Sequence, residues 1–592
     1  MCGIVGYIGS KEAQNILLGG LRRLEYRGYD SAGIVTLSKD AEATLLRAKG
    51  KVAELDKLAT KSATNDMIGI GHTRWATHGA PSEHNAHPHH VGDIYLVHNG
   101  IIENYKDLKE VLSDRGYEFA SETDTEVLAA LVDETYQEQD KKDLHAAVID
   151  SLKAVVGAYG IAVMSVKNPD EIVVARKGSP LVLGVGEDEV YIASDPSALV
   201  GHTDQVIYLK DDEVAVCRRD GVELTDANAT PLSPTIEKLE LDVQSIQKKG
   251  YDHFLLKEIY EQPDTLRSTL SGRIDVAGNR VQLGGISMTE DELRDIKNIF
   301  VIGCGTAYYA GQLASYFIEQ LSDDIVIHNA IASELRYRSF NVPENSVALI
   351  VSQSGETADT LACLMELKRR GVKCLGIVNA VGSTIAREVD GGVYVHVGAE
   401  ISVASTKAFT SQAAAILMFG LVVAQAKGLS AQEISKYVSE LDRLPSEIEA
   451  VLKDSVGDAK QLAKKYAHYE HALFIGRDAL FPAALEGALK LKEISYIQAE
   501  AYAAGELKHG PIALIDDRFF EMAYVNDDWL YEKSMSNIIE INARGGHVVV
   551  VTNSEKQIDA EEVVRVKTSL KLLTPLVYNV ISQLFEIGRA HV

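Results

Sequence analysis

Short runs of β-branched and apolar residues, broken by Gly- and His-rich turns, mark the first part of the chain. CGIVGYIG, IGIGHTRWATHG, IYLVHNGII, GIAVMSV and EIVVARK are such runs. They predict a mostly β core with a few helices, one of them around Thr123 to Tyr136. Residues 221–288, polar and in their later part helical in pattern, read as a connector. From residue 289 strands alternate with helices, the mark of α/β domains with parallel sheets. This half repeats itself. NIFVIGCGTAYYAG (from Asn298) matches HALFIGRDALFPAA (from His471), and ASELRY (from Ala332) matches AGELKH (from Ala504). RGVKCLGIVN ending at Asn379 matches RGGHVVVVTN ending at Asn553. Gly303 to Gly476 is an offset of 173 residues, and Asn379 to Asn553 one of 174. Colinear matches at nearly one offset imply two copies of one α/β domain, at 289–428 and 461–585, with a helical linker at 429–460. No apolar run reaches the ~18 residues of a membrane span. The N-terminus lacks the basic stretch and apolar core of a secretory signal.

Composition narrows the partners. The formal net charge of the 592 residues is -26, which disfavours nucleic acid and anionic membrane. A small phosphorylated substrate remains open, because backbone N–H groups can hold phosphate locally. The five cysteines, Cys2, Cys217, Cys304, Cys363 and Cys374, are scattered and show no CxxC spacing. That argues against a disulfide framework or a zinc site and for a reducing cytoplasm.

Cys2 is set apart by its position. Removal of Met1 leaves a thiol and an α-amine on one residue, and the amine can take the thiol proton. No separate catalytic His is then required. LEYRGYDSAG follows at Leu24 to Gly33, then GHTRWATHG (Gly71 to Gly79), HNGIIEN (His98 to Asn104) and SETDTE (Ser121 to Glu126). In this order the motifs resemble the class II glutamine amidotransferases, the N-terminal-nucleophile (Ntn) glutaminase family, over residues 2–220. The resemblance implies Cys2 as nucleophile, with Asn99 and the backbone N–H of Gly100 as oxyanion donors. It implies Arg74 on the glutamine carboxylate, Asp124 on its ammonium, and Trp75, Thr77, His78 and His87 in the pocket. The Trp75 loop would close over glutamine and gate ammonia. A competing reading makes His84, His87, His89 and His90 a metal site. No Cys or H-E-x-x-H pattern accompanies them, so a polar hydrogen-bonding loop is preferred.

In the second half, VSQSGETADT (Val351 to Thr360) follows the apolar run SVALI. It puts Ser352, Gln353, Ser354 and Thr357 where a strand ends and a helix begins. That geometry suits an anion, and without a Walker Lys it disfavours nucleoside triphosphates. The second copy carries AYVNDDWLYEKS at the matching place, so phosphate is expected on the first copy alone. CGTAYYAG, ISVASTKAFTSQ and LEGALKLKEISYIQAEAYAAGELKHG resemble sugar isomerase (SIS) domains. The resemblance implies Cys304, Gly305, Thr306, Val403 and Ser405 as sugar neighbours. It implies His509 as the ring opener, reaching the site of a partner subunit, and Glu493 as the base that moves a proton between C1 and C2. Glu486 and Lys490 share the helix face of Glu493 and would tune its pKa or assist ring opening. A solvated, ion-paired helix face is the plain alternative for these three.

The expected fold is an α+β Ntn glutaminase domain followed by two α/β SIS domains, each a parallel sheet flanked by helices. The two resemblances together cover nearly the whole chain. They imply an enzyme that moves ammonia from L-glutamine through a channel to D-fructose 6-phosphate, giving D-glucosamine 6-phosphate and L-glutamate. Acid, base and amine suffice for that chemistry, so no metal or organic cofactor is expected. Nucleic acid and membrane are not expected as partners, and a homodimer is. The family's tail, of the form D-x-P-R-x-L-A-K-S-V-T-V-E, supplies a Lys that would form a Schiff base with the open sugar. The sequence ends LVYNVISQLFEIGRAHV, with no Lys after Lys571. EIGRAHV back-translates into a widely used short-read sequencing adapter, so residues 586–592 are expected to be non-native and glutaminase activity to outlast amino-sugar formation. The segment Ile515 to Asn537 is more aromatic and acidic than the resemblance implies. Two alternatives compete. Another class II amidotransferase would carry a phosphoribosyltransferase part or an SGGxDS loop, and neither is found. A sugar-phosphate-binding regulator would have no use for Cys2, Arg74 and Asp124 together.

Overall fold

The strand Gly3–Ile8 is buried along its whole length, and its side chains divide by parity. Ile4 and Ile8 point into one apolar layer, Val5 and Tyr7 into another, as a period of two requires. The computed structural model describes residues 2–25, 28–75, 79–239 and 248–589. They form two units, Met1–Ile246 and Gln247–Val592. In the first unit an eight-stranded sheet holds Gly3–Ile8 between Glu189–Ala193 and Ile68–Arg74, antiparallel to both. A seven-stranded sheet pairs Ile94–Ile102 with Gly157–Ser165. Ile4, Ile70, Leu183 and Ile192 of one sheet meet Tyr95, Val97, Ala162 and Val174 of the other in one core. Helix Ala13–Leu24 covers the outside of the first sheet. Asp124–Gln137 and Leu144–Leu152 cover the outside of the second. The helix expected around Thr123 is Asp124–Gln137, capped by the Thr123 side chain on the Glu126 N–H.

The second unit holds two five-stranded parallel sheets. The first runs Val326–Ile331, Asn298–Gly303, Ser346–Ser352, Lys373–Val378, Gly391–Tyr394 across the sheet. The second runs Gln498–Ala503, His471–Gly476, Phe519–Val525, His547–Thr552, Glu562–Arg565, which is the same permutation. The repeat seen in the sequence is therefore a repeat of topology. The equivalent helices Thr306–Glu319 and Leu480–Ser495, each following the second strand across its sheet, pack on each other.

Two expectations need correction. The stretch 221–288 is not a free connector. Gly221–Asp226, Pro231–Leu232 and Glu237–Lys238 are strands of the first unit's sheets. Helix Phe254–Leu270 buries Leu255, Ile259, Leu266 and Leu270 in the core of the second unit. Its apolar stripe has helical spacing but is diluted by KE, YEQ and RST. The other correction concerns Lys407–Ala426, which by length and composition is apolar enough to cross a membrane. Nearly all of it is buried inside the second unit, as a helix apolar on every face must be.

Candidate active site

In the first unit, Cys2 heads the central strand and is placed by the sheet itself. The chain leaving the neighbouring strand Ile68–Arg74 brings Trp75 back over the thiol, and the Trp75 N–H donates to Cys2 Sγ at 3.2 Å. Asn99 comes from the second sheet, and its Nδ2 donates to the Cys2 carbonyl at 3.1 Å. His72 Nε2 lies 3.0 Å from Asn99 Oδ1. An amide oxygen only accepts, so His72 carries its proton on Nε2 and Asn99 must aim its NH2 at Cys2. Burial lowers the His72 pKa to about 3, so the ring stays neutral. Gly100 has φ +133°, and a Cβ there would lie 2.0 Å from the Ala158 carbonyl oxygen. Glycine is the residue this strand can accept at that point. Burial pushes the Cys2 thiol up, while the Trp75 N–H and Arg74 pull against it.

Arg74 is buried at the end of its strand and donates to the Gly79 carbonyl at 3.0 Å. The charges of Cys2, Asp30 and Asp124 all act on it. Asp124 is the first residue of its helix, where the helix dipole favours a carboxylate. Its Oδ2 accepts from the Ile102 N–H at 2.9 Å and lies 4.0 Å from His98 Nδ1. Trp75 is exposed, with Tyr29 edge-on at 5.3 Å between ring centroids. His87 stacks on His72 at 4.2 Å, and burial keeps it well below its usual pKa. Thr77 and His78 lie outside the described residues. His84 and His90 are exposed while His87 and His89 are buried. Among the described residues no three His, Cys, Asp or Glu converge as a metal-ligand set.

In the second unit the strand Ser346–Ser352 ends in a tight turn before helix Ala358–Arg369. Ser352 Oγ accepts from the Gly355 N–H at 3.0 Å and lies 3.3 Å from Thr357 Oγ1. Ser354 Oγ accepts from the Glu356 N–H at 3.2 Å. Thr357 is the N-cap but makes no side-chain capping bond, so the first-turn N–H groups remain for an anion. Glu356 is turned aside and accepts from the Thr384 N–H at 2.8 Å. Gln353 is half-buried on the same turn. The neighbouring strand Asn298–Gly303 ends at Cys304 and Gly305, the latter with φ +54° as N-cap of helix Thr306–Glu319. Thr360 Oγ1 meets Cys304 Sγ at 3.8 Å, joining the two turns. In the second copy the matching turn is lined by Asp527 and Asp528, with Lys556 on Asp527 at 2.8 Å.

The two copies meet at Thr306. Lys490 Nζ donates to Thr306 Oγ1 at 2.9 Å, and Thr306 Oγ1 donates to Glu486 Oε1 at 3.1 Å. Lys490 also donates to Glu493 Oε2 at 2.6 Å. Burial pushes Glu486 up to about 8, against the pull of Lys490. Burial would lower Lys490, but Glu486 and Glu493 outweigh it and raise its pKa. Glu493 keeps a partly exposed side chain. The solvated-face alternative does not describe Glu486 and Lys490, which are fully buried. Val403 is exposed, and Ser405 donates to Glu400 Oε2 at 2.6 Å. His509 is exposed at the end of a 3₁₀ turn. Two features escaped sequence reasoning. One is the His72–Asn99 bond. The other is Glu258, which binds the loop carrying Val403 and Ser405. A Glu inside the Leu255–Ile259 stripe was the available signal.

The SIS domain family matches residues 292–422 and again 465–587. The glutamine amidotransferase domain family matches residues 72–201. The glutamine–fructose-6-phosphate aminotransferase [isomerizing] of Chlorobaculum tepidum is 45% identical over 585 residues, covering 97% of this chain and 94% of that protein. The protein of the same name from Thermus thermophilus is 46% identical over 596 residues, covering 99% and 97%. Among solved structures, the C-terminal domain of glucosamine-fructose-6-phosphate aminotransferase from Francisella tularensis is similar, with 38% identity and a TM-score of 0.56. It covers 58% of this chain and 98% of that one.

Proposed function

The chain belongs to the family of isomerising glutamine–fructose-6-phosphate aminotransferases, and from that membership and the site geometry we infer how its residues divide the work. It transfers the amide nitrogen of L-glutamine to D-fructose 6-phosphate, giving D-glucosamine 6-phosphate and L-glutamate. Cys2, freed of Met1, attacks the glutamine side-chain carbonyl with its α-amine as base. The oxyanion is held by Asn99 Nδ2 and the Gly100 N–H. Arg74 takes the α-carboxylate, Asp124 the α-ammonium, and Trp75 covers the pocket. Ammonia leaves, and water releases glutamate from the thioester.

In the second unit the phosphate sits on Ser352, Gln353, Ser354 and Thr357, and the sugar lies against Cys304 to Thr306, Val403 and Ser405. Ammonia replaces the C2 carbonyl oxygen, which leaves as water. Glu493 takes the proton from C1 and returns it at C2. Lys490 steadies the Glu493 carboxylate, and Glu486 with Thr306 steadies Lys490. His509 opens the ring in the site of a partner subunit of a homodimer, which its exposure supports. Free thiols at all five cysteines fit a reducing cytoplasm.

The observation that carries this reading is the relay Glu493–Lys490–Thr306–Glu486, set in the same unit as an uncapped anion-binding turn. A regulator needs the turn but not the relay. The test measures glutamate release and solvent exchange of the fructose 6-phosphate C1 proton separately. With ammonium supplied for the exchange assay, Cys2→Ala is expected to stop glutamate release and leave exchange intact, and Glu493→Gln to do the reverse. Wild-type glutamate release by Cys2→Ala sinks the assignment.

A further inference from the structure

Helix Phe254–Leu270 carries a fully buried carboxylate, Glu258, that the reaction above does not use. Its Oε1 accepts from the Ile401 N–H at 2.6 Å and the Ser402 N–H at 3.2 Å. Its Oε2 lies 3.3 Å from the same Ser402 N–H. At the other end of this loop a second buried carboxylate, Glu400, accepts from the Thr406 N–H at 2.9 Å and the Ala408 N–H at 3.2 Å. Its Oε2 accepts from Ser405 Oγ at 2.6 Å. Between these clamps lies Val403, which is exposed. We propose that Glu258 is a positioning residue for the sugar site, fixing the loop that presents Val403 and Ser405 to fructose 6-phosphate.

Holding two carboxylates this close in the interior is costly. Burial and then Glu400 push Glu258 up to about 8, with Lys407 pulling against them. Counter-charge is supplied one turn along, where Lys407 donates to Glu261 at 2.9 Å and Lys257 lies 3.5 Å from it. Apolar packing alone would place a helix against a loop without any of this. A carboxylate does what packing cannot: it accepts two successive N–H groups and so sets the direction of the peptide planes leading to Val403. The inference rests on the sugar-phosphate pocket assigned above, but it concerns a residue outside that pocket.

The experiment titrates the full chain calorimetrically with fructose 6-phosphate and, separately, with inorganic phosphate, whose grip is the Ser352–Thr357 turn. Glu258→Ala is expected to weaken fructose 6-phosphate about tenfold or more, a factor of ten being about 1.4 kcal/mol. Inorganic phosphate and glutamate release should stay near wild type. Glu258→Gln keeps the Oε1 acceptor and is expected to restore most of the sugar affinity. Unchanged fructose 6-phosphate binding by Glu258→Ala overturns the proposal, as does an equal loss of both ligands. Should Glu258→Ala fail to fold, Glu258→Asp, with its shorter reach, decides by the same split. A wild-type chain that binds phosphate but not fructose 6-phosphate would instead sink the sugar assignment, and this inference with it.

Discussion

A buried ionisable group costs free energy unless it is paired or changes its protonation, and two glutamates of the second unit are pushed towards the protonated form. Glu521 sits in the strand Phe519–Val525, and burial pushes it up to about 8. Its folded pKa is above its unfolded one, so the folded state binds the proton more tightly. The stability it contributes is full below the ordinary carboxylate range and is lost as pH rises towards about 8. Glu521→Gln is expected to flatten that decline, read as urea midpoints at about pH 5 and about pH 8. Glu586 is fully buried in the last helix, and among the described residues neither of its oxygens meets a donor. Glu586→Leu should raise stability by about 1–3 kcal/mol, the usual cost of an unsatisfied buried polar group; a lower thermal midpoint would count against this. At Asn99 the geometry concerns rate. Asn99→Ala is expected to lower kcat for glutamate release by about 10²–10³-fold with a smaller change in KM. The residue types at Cys2, Asn99 and Asp124 were legible from their motifs. The orientation of Asn99 was not, because it depends on His72, 27 positions away on another sheet.

At the scale of elements, the strand–turn–helix at Ser352 to Ala358 is decided by one backbone angle. Gly355 has φ +65°, and a Cβ there would lie 1.9 Å from Ser383 Oγ. Gly355→Ala must therefore both strain the turn and displace Ser383. A loss of phosphate affinity of about tenfold or more is expected, with glutamate release unaffected; calorimetry with inorganic phosphate checks it. The turn could be read from SQSGET because its small residues and Gly are local requirements. Helix Phe254–Leu270 could not be read as core for the opposite reason. Its stripe is interrupted by Lys257, which pairs with Glu261 on the same helix, and by Glu258 and Gln262, which are buried because other elements supply their partners. Lys407–Ala426 errs the other way: apolarity suits a bilayer and a protein core equally, and the surrounding helices decide which.

The whole molecule is two units with separate cores, so ligands should stabilise them separately. In scanning calorimetry, a glutamine analogue is expected to raise one transition and fructose 6-phosphate the other. A single transition shifted equally by both would show the units to be thermodynamically inseparable. The division of labour was visible along the chain because the hydrophobic period itself changes near residue 289, from alternating runs to strands separated by helices.

The order of the motifs, the candidate nucleophile at Cys2, the duplicated topology and the candidate anion turn were all readable along the chain. Each of these is written in neighbouring residues or in a fixed period, so local spacing carries it. Tertiary structure alone decided which way Asn99 faces, that Thr306 of one copy bridges Lys490 and Glu486 of the other, and that Glu258 holds the Val403 loop. Those pairings join positions up to 184 residues apart. Proximity at that separation follows from how the sheets and helices pack, and no local pattern records it.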